Sequence, residues 1–189
     1  MKRLAGLIGL LAATASCTHY TPKPHGYFRI EPKKAVYKPF VSESLPYTFN
    51  KSQEAEVKQS MQTDSSNWIN IEYPELNATL YCSHLSITPE ALARLENDNR
   101  KLIHQLLSPN IQLKEKRYSH PEEKVYGTLF LLEGETASPV HFTLTDSLSH
   151  FFRGALYFDC KPNADSLAPA TDYLQHDIVE LIQSFRWKK

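Results

Sequence analysis

Between Ser138 and Ser166 the chain reads SPVHFTLTDSLSHFFRGALYFDCKPNADS, a pattern that few architectures can accommodate. Two apolar runs, Val140 to Thr145 and Phe151 to Cys160, flank a polar connection from Asp146 to His150. A second polar turn, Pro162 to Ser166, closes the stretch. In the first run Val140, Phe142 and Leu144 alternate with His141, Thr143 and Thr145, the period of two expected of a strand with one wet face. In the second, Phe152, Leu156 and Phe158 share one face, and Phe151, Arg153, Ala155 and Tyr157 share the other. Gly154 leaves room there for a close neighbour. The spacing predicts the inner hairpin of a sheet, with one charged residue on an otherwise aromatic face.

The remaining elements can be arranged around this hairpin. Ile69, Ile71 and Tyr73 alternate with Trp68, Asn70 and Glu72, and Pro74 to Asn77 turns the chain into a second strand from Ala78 to Leu85. Thr88-Pro89-Glu90 opens a helix, with Thr88 as N-cap, Pro89 at the first helical position and Glu90 favourable to the dipole. Leu92, Leu95, Leu102 and Leu106 mark one face of that helix, joined by Ile103 and Leu107, and Ser108-Pro109 stops it. Lys114 to Tyr118 and Val125 to Leu132 are strands. Leu174, Ile178, Leu181 and Phe185 describe a closing amphipathic helix. Earlier in the chain Gly26 to Ile30 is a candidate edge strand and Pro46 to Asn50 a short one. Lys51 to Ser66 reads as loop or frayed helix, because Pro32, Pro39 and Pro46 interrupt anything longer. Short connections between the later strands demand antiparallel pairing. The expected fold is therefore α+β: a single antiparallel β-sheet covered by two main helices, with an irregular N-terminal arm. Its element order resembles the Mog1/PsbP-type sandwich, an analogy that carries no function by itself.

The N-terminus reads as an export signal. Lys2 and Arg3 precede an apolar run from Leu4 to Ala13 that is too short to span a bilayer. Thr14-Ala15-Ser16-Cys17 is similar to a bacterial lipobox, although Leu is more usual where Thr14 stands, and Cys17 becomes the acylated first residue of the mature chain. The alternative is an ordinary secretory signal with an incidental cysteine. Expected divisions are a signal peptide at 1–16, a lipidated tether at 17–25 and one domain at 26–189, irregular over 26–66 and α+β over 67–189. Losing Lys2 and Arg3 takes 21 basic residues to 19, against 21 acidic ones. So balanced a chain, without a basic stripe, excludes nucleic acid as a partner. Membrane attachment then rests on acyl chains, at about 0.8 kcal/mol per buried CH2. Cys82 and Cys160 each extend an apolar strand face in a disulfide-permissive compartment. Neighbouring strands would allow them to pair, and two buried free thiols are the preferred reading. Cys and His show no metal-ligand spacing.

Asp146, Ser147 and His150 invite a test as a catalytic triad. Triads are assembled from distant segments, and no G-x-S-x-G elbow surrounds Ser147 or Ser149, so a polar turn with Asp and Ser bonded to the backbone is preferred. Asp165-Ser166 reads as a turn or helix cap. His84, His104, His141 and His176 fall on separate elements. Arg153 is expected to pair with Asp146 or Asp159, or to stack on Tyr157; the competing reading is an anion or partner site.

Several blocks carry a family resemblance: Tyr20 to Ile30 (YTPKPHGYFRI), Trp68 to Ile71, Ala137 to Pro139, Phe142 to Ser147, His150 to Phe158, Pro162 to Pro169, and Arg186 to Lys188. In this order they resemble the gliding-motility lipoprotein GldD family of Bacteroidota. His25 stands where the family pattern has Arg, and Leu148 where it has Thr. Leu45 and Asn67 occupy positions where many members have a cysteine pair, which removes the basis for a family disulfide here. The resemblance implies a lipid-anchored envelope protein of the gliding and type IX secretion machinery, not an enzyme, with no catalytic residue and no cofactor to carry over. Its implied partners are other envelope proteins of that machinery, and the membrane through the lipid anchor. No acidic run follows Cys17, which favours a periplasm-facing orientation. Within the matching blocks Tyr27, Arg29, Asp146, His150, Arg153, Asn163 and Asp165 are the candidate partner-contacting residues. Two other readings stand beside this one. An envelope hydrolase would need the Ser147 hydroxyl at a histidine in a cleft, and a small-ligand carrier would need an apolar pocket.

Overall fold

The computed structural model describes residues 35–61, 67–160 and 163–188. Among them are ten strands: β1 (Tyr37–Val41), β2 (Tyr47–Ser52), β3 (Glu56–Met61), β4 (Asn67–Tyr73), β5 (Ala78–Ser86), β6 (Gln112–His120), β7 (Val125–Glu133), β8 (Val140–Thr145), β9 (His150–Phe158) and β10 (Arg186–Trp187). Two helices join them, α1 (Pro89–Gln105) and α2 (Ala164–Ser184). The predicted hairpin, β8 with β9, lies inside a seven-stranded antiparallel sheet of order β3-β4-β5-β9-β8-β7-β6.

Antiparallel pairing and two covering helices agree with the expected α+β class. The single sheet and the irregular arm do not. Residues 37–61 form three strands, and β1, β2 and β10 make a second, three-stranded sheet. Tyr47 and Phe49 alternate inward from β2 and are fully buried, and this short apolar period outweighs the surrounding prolines. Pro39 fits because β1 is an edge strand, where a missing N–H need not break a ladder. β3, with the sequence EVKQSM, is also an edge strand; its polar composition is how sheets protect an edge, and it hides the strand from a periodicity reading. The candidate strand at 26–30 lies outside the described residues.

Alternation across β7 defines two faces. Leu129 and Leu131 enter the main core, whereas Phe130 and Leu132 turn to the opposite side. The main core joins Ile69, Ile71, Leu80, Val140, Phe142, Phe152 and Leu156 of the large sheet to α2 and the small sheet. Helix α2 buries Leu174, Ile178, Leu181 and Ile182 there. Its last turn leaves the helix at Phe185, which is stacked on Tyr47 and packed against Phe152, and the tail then pairs with β2 rather than trailing free. Gly154 faces Phe142 across the hairpin, where an added Cβ would stand 2.3 Å from the ring. On the opposite side of the large sheet α1 contributes one buried residue, Ile103, against Phe130 and Leu132. The expected apolar face of α1 is thus only partly used, and Leu102 and Leu106 remain exposed.

The cysteines do not pair. Cys82 is opposite Gly154, six residues from Cys160, or about 20 Å along a strand. Cys82 is a buried thiol whose pKa burial raises, while Cys160 lies past the end of β9 and is exposed, not buried as expected. No helix among the described residues is long and apolar enough to cross a membrane.

Candidate functional site

The hairpin tip is a turn and not a triad. The Asp146 carboxylate accepts N–H groups of Leu148, Ser149 and His150 at 2.8–3.0 Å, and the Ser149 hydroxyl at 2.7 Å. Burial alone would raise its pKa, but these four donors outweigh it and hold the carboxyl down at about 2. Ser147 sits at φ 68°, its N–H bonded to the Thr145 hydroxyl, with no histidine at its own hydroxyl among the described residues. The His150 Nδ1 is 3.0 Å from His84 Nε2, and its ring stacks on Trp187 at 4.9 Å. Trp187 in turn donates Nε1–H to the Lys124 carbonyl at 3.2 Å. These contacts tie β5, β9, β10 and the turn before β7 together.

Arg153 lies on the other face of β9, three residues on. It makes no ion pair with Asp146 or Asp159; its Nε donates to the Ser83 hydroxyl at 3.1 Å, directly across the β5–β9 pairing. The expected salt bridge is absent because Asp146 is saturated by its own turn and Asp159 lies beyond the strand's end. Two rungs of residues run beside it across the sheet. One is Trp68, Ser83, Arg153 and Thr143; the other is Asn70, Tyr81, Ala155 and His141.

Apart from Thr143, these rungs floor a cleft of about 440 Å³ whose roof is α1, through Asn99, Leu102, Ile103, Gln105 and Leu106. Tyr157 stands at one side, edge-on to Tyr81 at 5.7 Å and to His141 at 6.5 Å. Trp68, Tyr81, Leu102, Leu106 and Tyr157 are each 38–50% exposed. His141 is nearly buried. Its Nε2 lies 3.1 Å from the Ser138 carbonyl, which can only accept, so that nitrogen carries the proton and Nδ1 is the acceptor. The Ser138 hydroxyl, 3.0 Å from the same nitrogen, donates to the Leu156 carbonyl at 2.8 Å. Burial chiefly lowers the His141 pKa, with Arg153 adding to the effect and the Ser138 carbonyl opposing it. The pair is therefore no serine–base couple, since the imidazole gives its proton to the serine side.

Of the candidate partner-contacting residues that are described, Arg153 alone reaches this cleft. Asp146 and His150 belong to the hairpin tip. Asn163 is the N-cap of α2, its Oδ1 accepting the Ser166 N–H at 3.1 Å, and Asp165 lies in the first turn, where an acidic group suits the dipole. Cys17, Tyr27 and Arg29 lie outside the described residues. Trp68, Tyr81, Ser83, His141 and Tyr157 were not anticipated as a site. The available signal was an aromatic residue on the wet face of each of three strands. Asp177 was also missed: a buried carboxylate of α2 that accepts the Tyr37 hydroxyl at 2.9 Å, its pKa raised by burial against the opposing pull of that hydrogen bond.

Comparison with known proteins bears on what this cleft belongs to. No curated protein matches the chain. Among solved structures, the solution structure of cyanobacterial PsbP (CyanoP) from Synechocystis sp. PCC 6803 is similar over 87% of this chain and 99% of that one. The two share 8% sequence identity with a TM-score of 0.48, a likeness that carries nothing about binding or activity. The family described as gliding motility lipoprotein GldD matches residues 17–187, which spans Cys17, the α1 cleft and the β10 tail. The chain belongs to the gliding motility lipoprotein GldD family.

Proposed function

We propose that this chain is a non-enzymatic binding component of the gliding-motility and type IX secretion machinery, lipid-anchored through Cys17 and facing the periplasm. The observation that carries the reading is the α1 cleft, where a helix and a sheet face that would ordinarily seal together leave Trp, Tyr, Leu and Arg side chains accessible. Exposed apolar surface gathered in one place, with polar groups around it, marks a site of association. The hydrolase alternative finds no support in the geometry, because no histidine stands at the Ser147 hydroxyl among the described residues and His150 is engaged by His84.

Crosslinking and pull-down of the tagged chain from envelopes tests the proposal. Wild type should recover components of the motility machinery, and Cys17→Ala should leave the membrane fraction and recover fewer. An abundant, folded wild-type protein that recovers none of them overturns it.

A further inference from the structure

We infer that the α1 cleft receives a short segment of a partner protein in which a carboxylate adjoins aliphatic or aromatic side chains, the carboxylate meeting Arg153 and the apolar groups meeting Trp68, Tyr81 and Tyr157. This rests on the binding role proposed above and specifies the chemistry bound. The walls supply the first reason. Five of the eight large apolar side chains left exposed among the described residues line this one cleft, so the exposure is concentrated and not scattered. Trp, Tyr and Arg are also the residue types in which binding energy at protein interfaces concentrates.

Charge supplies the second reason. Among the described residues the lining contains the Arg153 cation and no Asp or Glu. Its Nε is committed to Ser83, and no carboxylate among the described residues pairs with it, so the outer fork of the guanidinium is open. That fork matches a carboxylate in two parallel hydrogen bonds. A single cation is too few for nucleic acid, which is held by many phosphate contacts.

The floor supplies the third. Asn70, Ser83 and His141, with Asn99 and Gln105 from the roof, surround the apolar walls with hydrogen-bonding groups. A peptide backbone can answer these groups. An acyl chain would cover them without partners, at the penalty of stranded polar atoms. At about 440 Å³ the cleft lies within the range of sites that enclose a small ligand or a few side chains.

The test uses the full chain in detergent as target for a phage-displayed random dodecapeptide library, with Arg153→Gln as counter-target. Selected peptides should carry Asp, Glu or a free carboxyl end beside an apolar residue. They should lose at least about tenfold in affinity for Arg153→Gln. Amidating the peptide's acid should cost as much, and the two losses should not add, because both remove the same pair. Unchanged circular dichroism of Arg153→Gln separates lost binding from lost fold. Peptides selected without an acid, or bound equally by Arg153→Gln, overturn the inference. A photo-crosslinking residue at Tyr81 in intact envelopes, with one at Val41 on β1 as control, separates it from the assembly reading. Capture of motility components through an acidic, apolar segment at Tyr81 is the expected result. Capture from Val41 alone overturns the cleft assignment and leaves the assembly reading standing. Capture of lipid at Tyr81 overturns it in favour of an amphiphile, and capture at neither position overturns both.

Discussion

His84 is a buried imidazole whose Nδ1 has no partner among the described residues, while its Nε2 meets His150. Placing the proton on Nε2, donated to His150 Nδ1, strands only an acceptor, the more tolerable orphan in a folded interior. Burial first, and then His150, push the His84 pKa down to about 4, against a smaller upward pull from Asp146. In the unfolded chain the ring protonates near 6.5. The unfolded state thus binds more protons between those values, and stability is complete above pH 6.5 and lost as pH falls toward 4. After discounting for partial solvent screening, the loss is about 2 kcal/mol. Urea midpoints measured from pH 7.5 down to 4 should decline in wild type and decline less in His84→Gln; equal slopes would show that this ring does not carry the effect. Arg153 sits at the other extreme. It is exposed and bonded only to Ser83 among the described residues, so Arg153→Ala should change unfolding free energy by no more than about 0.5 kcal/mol. A larger loss in a denaturant titration would assign it a structural role instead.

At the scale of elements, the β8–β9 hairpin depends on one close approach. Gly154→Ala would drive a methyl into the Phe142 ring, a side chain fixed by packing on Phe152. The expected cost is about 1–3 kcal/mol by chemical denaturation, the usual range for overpacking, and a neutral result would mean that the two strands can part without strain. This hairpin was legible because its periods of two are long and its connection polar; β8 spans the predicted Val140 to Thr145. The start of α1 was equally legible from Thr88-Pro89. Two kinds of element were not. β3 is a strand made by its neighbour β4, since nothing in EVKQSM alternates strongly enough to announce it. Helix α2 begins at Ala164, ahead of the apolar spacing that starts at Leu174, because the Asn163 cap sets its first turn and Pro169 is tolerated within it. The cleft was less legible still. Trp68, Ser83 and Arg153 become neighbours only through the register of β4, β5 and β9, which no single stretch encodes.

Across the whole molecule the two helices do unequal work. Helix α2 buries Ala170, Leu174, Asp177, Ile178, Leu181 and Ile182 between the two sheets, whereas α1 buries Ile103 alone. Burying an aliphatic side chain contributes about 1.5–3 kcal/mol, so α1 is held to the sheet far more weakly than α2. Its underside cannot be sealed by collapse either, because the floor beneath it carries Asn70, Ser83 and Arg153, which need hydrogen-bonding partners. Local opening should therefore be concentrated at α1. Native-state hydrogen exchange followed by mass spectrometry should show the amides of Pro89–Gln105 exchanging well before those of Leu174–Ser184. A bound segment bridging α1 to the β4–β5–β9 floor should slow the first group and leave the second unchanged. Equal protection of the two helices in the free protein would mean that α1 is fastened by contacts outside the cleft, and a ligand that slowed α2 alone would place the binding surface on the opposite face of the large sheet.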